Sequence, residues 1–237
     1  ALEHRLSGEH VLALLVAIIL APMTAVREAD ADETLLRFPH LVRAETWTER
    51  WLSDSGEIES RTVTAAIWND AIQAALDKDN TVHFPKREQP YYLDGPIVLK
   101  SGQRLTADAG AEIRLKPGTN TCMVRNENII TLNTKPVPAD LPLDTDITIA
   151  GGIWTTLATA DNESNGNLLG RSSGVNPAFG THGVILLQNV RRVSVKNVTV
   201  RQSKAFGVHV NGPASNGLIR GVRGDSKDDD VALNAWE

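Results

Sequence analysis

The chain has 237 residues, a net charge of −5 and 41% hydrophobic residues. That length suits one large domain, and an acidic balance without a long basic run argues against a nucleic-acid partner. Cys122 is the single cysteine, which excludes a disulfide within the chain.

Val11 to Ala21 is an unbroken apolar run behind His4, Arg5 and His10. It is too short to span a bilayer and has the length of a signal-peptide core, with a buried core helix as the alternative. Small residues follow at Thr24 and Ala25, and Ala29-Asp30-Ala31 has an A-x-A cleavage pattern. Residues 1–31 are therefore expected to be a signal-peptide-like segment. The expected location is secreted or periplasmic, without stable membrane insertion after removal of the signal. Residues 32–61 are polar and carry Trp47 and Trp51, and they read as a loose lead-in with at most one short helix.

From Arg61 to Asp79 the pattern predicts a helix. Ile67, Ala71, Ile72, Ala75 and Leu76 form its apolar stripe, and Thr62 or Thr64 is the candidate cap. Short strands are then predicted at Thr81–Phe84, Pro96–Leu99, Gln103–Leu105 and Glu112–Leu115, continuing through Met123-Val124 and Ile129-Ile130. Val137 to Asp146 holds two prolines, Pro138 and Pro142, and reads as a loop. Thr155 to Gly180 is rich in Gly, Asn, Ser and Thr, and it reads as an excursion replacing most of one coil. It is either a binding-face loop or a plain surface loop.

The last third repeats itself. Gly183-Val184-Ile185-Leu186 recurs as Gly207-Val208-His209-Val210, an offset of 24 (183 to 207). It recurs again as Asp230-Val231-Ala232-Leu233, an offset of 23 (207 to 230). Val193–Val198 matches Gly217–Val222 in the same way. Units this short hold two or three β-runs and leave no room for a helix, which predicts a β-solenoid stacked about 4.8 Å per coil. Asn197, Gly221 and Gly151 or Gly152 share one corner position, and these residue types tolerate a left-handed backbone. The helix at 61–79 is placed to cap the first coil's open strand edges.

The stretch Trp68–Leu76, then Val82-His83-Phe84-Pro85, Tyr92-Leu93, Pro96–Leu99, Ser101–Leu105 and Gly110–Ile113 resembles the N-terminal cap and first coils of the pectin-lyase-like superfamily. Asp228-Asp229-Asp230-Val231-Ala232-Leu233-Asn234 resembles the Asp-Asp strand of its polygalacturonase family of glycoside hydrolases. The resemblance implies an all-β, right-handed parallel β-helix over residues 62–237. It also implies a polysaccharide partner, expected to contain uronate. The family's Asn-Thr-Asp-Gly run falls on Lys204-Ala205-Phe206-Gly207, so Phe206 stands where the family has its first aspartate. The family's later Gly-His-Gly and Arg-Ile-Lys motifs would lie beyond Glu237, which reads the sequence as a fragment.

Glycoside hydrolysis needs one carboxylic acid to protonate the leaving oxygen. An inverting enzyme needs a second carboxylate, roughly 6.5–9.5 Å away, to activate water. Asp228 as base and Asp229 as acid are the candidates. Asp229 is expected to stack near Phe206 and His182, an apolar neighbourhood that favours its protonated form. Lys204, His209, Asn211 and Asn234 are the candidate substrate-binding residues, with His209 on the outward face between inward Val208 and Val210. No cofactor is expected on this reading. The alternative is a calcium-assisted lyase whose ion is held by Asp225, Asp228, Asp229 and Asp230. A non-catalytic carbohydrate-binding domain and a merely solvated acidic corner also stay open. Tyr91, Tyr92 and Trp154 are candidates for stacking on sugars or for packing. Asn162-Glu163-Ser164 and Asn197-Val198-Thr199 match the glycosylation sequon.

Overall fold

The computed structural model describes residues 37–129, 139–159 and 183–234, together with Leu35 and Asn165. The apolar run Val11–Ala21, the sequon at Asn162 and the expected neighbour His182 lie outside the described residues. Among the described residues no helix is long and apolar enough to cross a membrane.

The chain is mostly β, and its sheets are built by parallel pairing. Sheet B contains β3 (Thr81–Phe84), β6 (Arg104–Ala107), β10 (Thr148–Ala150), β14 (Ser194–Lys196) and β18 (Leu218–Arg220). Sheet A contains β4 (Tyr91–Leu93), β7 (Glu112–Leu115), β11 (Ile153–Thr155), β15 (Thr199–Ser203) and β19 (Arg223–Ser226). Sheet C contains β5 (Ile97–Leu99), β8 (Val124–Asn126), β12 (Ile185–Leu187), β16 (Val208–Asn211) and β20 (Val231–Asn234). Each repeat visits B, then A, then C, and pairs with the same sheets of the repeat before it; two-residue strands β9 (Asp144–Thr145), β13 (Val190–Arg191) and β17 (Ala214–Ser215) follow sheet C and form a fourth parallel sheet.

Apolar ladders fill the interior. Val82, Leu105, Ile149, Val195 and Ile219 are in register along sheet B. Tyr91, Ile113, Trp154 and Val200 line sheet A, and Ile97, Val124, Ile185, Val208 and Val231 line sheet C. Burial of each such Leu, Ile or Val side chain contributes about 1.5–3 kcal/mol. Tyr91 and Trp154 belong to this core, and Tyr92 lies buried on the outer side of sheet A, so none of the three is open to a sugar.

The B-to-A corner is where the left-handed residues fall. Asn197 has φ 53°, Gly221 φ 68° and Gly151 φ 76°. At Gly151 the constraint is absolute, because a Cβ there would sit 1.9 Å from the Ala107 carbonyl oxygen.

Three expectations need correction. First, the helix is α1 (Asn69–Asp79), and Thr62 and Thr64 lie in a strand rather than at its cap. Residues 61–67 alternate Arg, Val, Ala, Ile with Thr, Thr, Ala, and this period of two with β-branched residues selects a strand. Second, the lead-in is not loose. β1 (Arg43–Leu52) and β2 (Ile58–Ile67) form an antiparallel hairpin, ten residues on each side, which joins sheet A only where Ile67 meets Tyr92. Third, the excursion replaces no strand. Ile149 pairs directly with Val195, so the offset of 46 (149 to 195) is one repeat with an insertion.

The register at sheet C also moves by one residue. Ile185, not Val184, pairs with Val208, so the offset there is 23 (185 to 208). Ile185 and Leu187 face the core, while Leu186 turns outward and packs with Cys122 and Ile129.

α1 covers the first repeat as expected, and it does so chemically as well as sterically. It buries Ala71, Ile72, Ala75 and Leu76. Its Gln73 Nε2 donates to the Val98 carbonyl and its Oε1 accepts the Val98 N–H, both at 3.1 Å. The amide therefore stands in for the missing neighbour of edge strand β5. Asn69 does the same at Gly95 O, 2.7 Å, and Asp94 N, 2.6 Å. The helix ends where Asn80 turns left-handed at φ 57°, with its N–H on Leu76 O.

Candidate functional site

The acidic run enters β20 by lying against the repeat before it. Asp228 N–H donates to Ala205 O at 3.0 Å, Gly207 N–H to Asp229 O at 3.0 Å and Val208 N–H to Asp230 O at 2.9 Å. This places Phe206 opposite Asp229, as the repeat predicts. Asp228 and Asp229 are both exposed, so Phe206 does not bury the Asp229 carboxylate as expected. Its half-buried ring turns instead to His209, with ring centroids 4.5 Å apart.

His209 points away from the core between inward Val208 and Val210, yet it is only 1% exposed. Phe206 packs on it, and its Nε2 lies 2.7 Å from Asn234 Oδ1. An amide oxygen only accepts, so Nε2 is a donor here. His209 is a covered, engaged residue rather than an open groove base. Asn211 is also buried, Asn234 is exposed and Lys204 is half-buried.

The four candidate calcium ligands do not form a set. Asp225 Oδ1 accepts the Gln202 N–H at 2.7 Å on sheet A, and Asp230 Oδ1 accepts the Ser226 N–H at 3.4 Å. Among the described residues no three His, Cys, Asp or Glu side chains converge on a cation position.

A second constellation, unread in the sequence, lies on the outer face of sheet A. The β1–β2 hairpin forms an arm there. Its alternate residues Glu45, Trp47, Glu49 and Trp51 share the face turned to the sheet, opposite Ala65, Val63, Arg61 and Glu59. Trp47 packs edge-on against Tyr92, centroids 4.8 Å apart. Glu49 is fully buried. Its Oε1 accepts the Tyr92 hydroxyl at 3.0 Å and Arg114 Nη1 at 2.8 Å, and its Oε2 accepts Arg61 Nε at 2.8 Å. Glu112 binds Arg114 from the other side at 2.8 Å.

These partners move protonation equilibria. Burial, then the Glu49 charge, pushes the Tyr92 hydroxyl up to about 12. Burial works to lower Arg114, but Glu112 and Glu49 more than offset it and hold the guanidinium above its ordinary value. Nearer the hairpin base, Lys116 holds the Glu45 carboxyl below the usual range, and Arg43 binds Asp94.

The tip of the arm is clasped far down the stack. Gln202 Nε2 donates to Leu52 O at 2.8 Å, and its Oε1 accepts the Leu52 N–H at 3.4 Å. Gln202 sits in an irregularity of the β15–β19 pairing with φ 49°. Bulges re-aim side chains in this way. Its backbone is held by Thr156 Oγ1 on its carbonyl at 2.8 Å and by Asp225 on its N–H.

Between the Glu49 cluster and this clasp the arm roofs a cleft of about 880 Å³. Trp51, Ser53, Asp54 and Glu59 line it from the arm, and Thr155, Leu157 and Arg201 from the sheet side. Arg61, Glu112 and Arg114 are shared with a smaller cleft of about 450 Å³ on the far side of the cluster. The readable signal for this region is the alternation Arg43-x-Glu45-x-Trp47-x-Glu49-x-Trp51 running into the turn residues Ser53-Asp54-Ser55-Gly56.

No family's sequence pattern matches the chain, and no curated protein matches it. Among solved structures it is similar to the Streptococcus pneumoniae surface protein and adhesin PfbA, at 21% identity and a TM-score of 0.46. The match covers 67% of this chain and 37% of PfbA, so the chain spans well under two thirds of that protein's length.

Proposed function

We propose that this chain is an exported right-handed parallel β-helix, related to the polygalacturonases, that hydrolyses an acidic polysaccharide through Asp228 and Asp229. Parallel strands joined by crossovers are right-handed in nearly all proteins, which supports the hand of the stack. The apolar run Val11–Ala21 supports export. The observation that carries the catalytic reading is the register that lays Asp228 and Asp229, both exposed, against Ala205 and Phe206 at the entry to sheet C. One of the two carboxyl groups donates the proton to the leaving oxygen, and the other activates the water. Lys204, half-buried on the neighbouring repeat, supplies a positive charge for a uronate carboxylate.

The test is incubation of the full chain with polygalacturonate. New reducing ends without unsaturated uronide absorbance are expected, and Asp228→Asn and Asp229→Asn should each lower the rate about 100-fold or more. Wild-type rates in both variants would remove the hydrolase reading. Phe206, standing where the family has an acid, favours a second reading in which the chain binds the polysaccharide without cleaving it. Retention on polygalacturonate with no product of either kind would select that one.

A further inference from the structure

We propose that the roofed cleft under the arm is a separate saccharide-binding site, and that it takes a neutral sugar chain. The inference stands on sheet A and does not depend on the chemistry of Asp228 and Asp229.

The cleft is built rather than left over. Arg61, Glu112 and Arg114 of the Glu49 cluster line it, and so do Leu52 and Gln202 of the clasp. Two non-glycine residues that line it, Leu157 at φ 53° and Gln202 at φ 49°, hold left-handed backbone. Such backbone persists where its surroundings over-determine it, and ligand clamps are one of the places where it gathers. Here the Leu157 N–H reaches Thr155 Oγ1 at 3.2 Å, and the Gln202 carbonyl is held by Thr156 and Ala158.

The lining chooses the ligand class. One aromatic, Trp51, sits among hydroxyl, carboxylate and guanidinium groups. An aromatic face beside many convergent donors and acceptors matches a sugar ring, with its apolar face and rim of hydroxyls. Four carboxylates line the space (Asp54, Glu59, Glu112, Asp225) against three guanidiniums (Arg61, Arg114, Arg201). Arg61 and Arg114 are already shared by the buried Glu49. The cleft therefore carries no positive excess for a polyanion, which disfavours a uronate chain and selects a neutral one.

The full chain is titrated with cellotetraose, xylotetraose, mannotetraose and tetragalacturonate, followed by calorimetry and tryptophan fluorescence. At least one neutral tetrasaccharide is expected to bind. Trp51→Ala should weaken it at least 10-fold, and Arg201→Ala, an exposed change on the stack that leaves the hairpin intact, about 3-fold or more. Asp228→Asn should keep the same affinity, which separates this site from the acidic edge. The proposal falls if no neutral sugar binds, if tetragalacturonate binds tightest, or if Arg201→Ala and a folded Trp51→Ala both bind as the wild type does.

Discussion

The stack and the arm are both β-structure, yet they are held by different physics. The stack is a column of Val, Ile, Leu and aromatic side chains taken out of water, each paired with the same position one repeat away. The arm has only a small apolar cluster, in which Trp47, Val63, Ala65 and Ile67 gather around Tyr92. It lies on the sheet through Trp47, the Glu49 cluster and the Gln202 clasp. Non-directional burial tolerates many sequences that keep volume and pattern, whereas a buried carboxylate shared by two guanidiniums tolerates few. The arm should therefore be the part that loosens first.

Three experiments test that contrast. The largest effect is expected from Trp154→Ala, which removes the largest fully buried side chain of the stack. A loss of about 4 kcal/mol in urea unfolding, spread over the whole chain, is the expected outcome. Glu49→Gln keeps the shape and deletes the charge. About 2 kcal/mol should be lost from the arm alone, read as faster hydrogen exchange in β1 and cleavage at the Ser53–Glu57 tip. If this variant melts the stack as Trp154→Ala does, arm and stack are one cooperative unit and the contrast is wrong.

The smallest effect is expected with alkali. Tyr92 has its folded value raised to about 12, above the ordinary value of about 10. The raised value means that the neutral hydroxyl is the form the fold favours. Its contribution is complete below about pH 10 and is lost as the pH rises through about 12. Urea midpoints should fall across that window in the wild type, and Tyr92→Phe should flatten the fall. An equal fall in both proteins would place the alkaline sensitivity elsewhere.

Much of the stack is legible in the sequence because its contacts repeat. Ser194 pairs with Leu218 at the offset of 24 that the sequence shows (194 to 218). The slip at Ile185 marks the limit of that reading. Val184-Ile185-Leu186-Leu187 is apolar throughout, so either phase looks equally good, although a one-residue shift exchanges the inner and outer faces. The position of Asp228 and Asp229 is legible for the same reason as the strands. The covering of His209 is not, because it depends on where the Phe206 ring turns and on the Asn234 amide. The arm is half legible. Its alternation and turn residues are plain, but Glu49 and Arg114 are 65 residues apart and no repeat links them. Helical reading of 61–79 failed because Ile67, at the end of β2, happens to fall in phase with the stripe of α1.

The direct pairing of Ile149 with Val195 has a consequence for chain length. Register is kept by side chains and backbone bonds, so the length of chain between two stacked strands is nearly free. Doubling a flexible connection adds only about 0.6 kcal/mol of closure entropy. From sheet A to sheet C the chain advances 30 positions in one repeat (Thr155 to Ile185) and 5 in the next (Ser203 to Val208), and the ladders keep their register across both. The B-to-A corner offers the reverse. At Gly151 it has no space for even one methyl group.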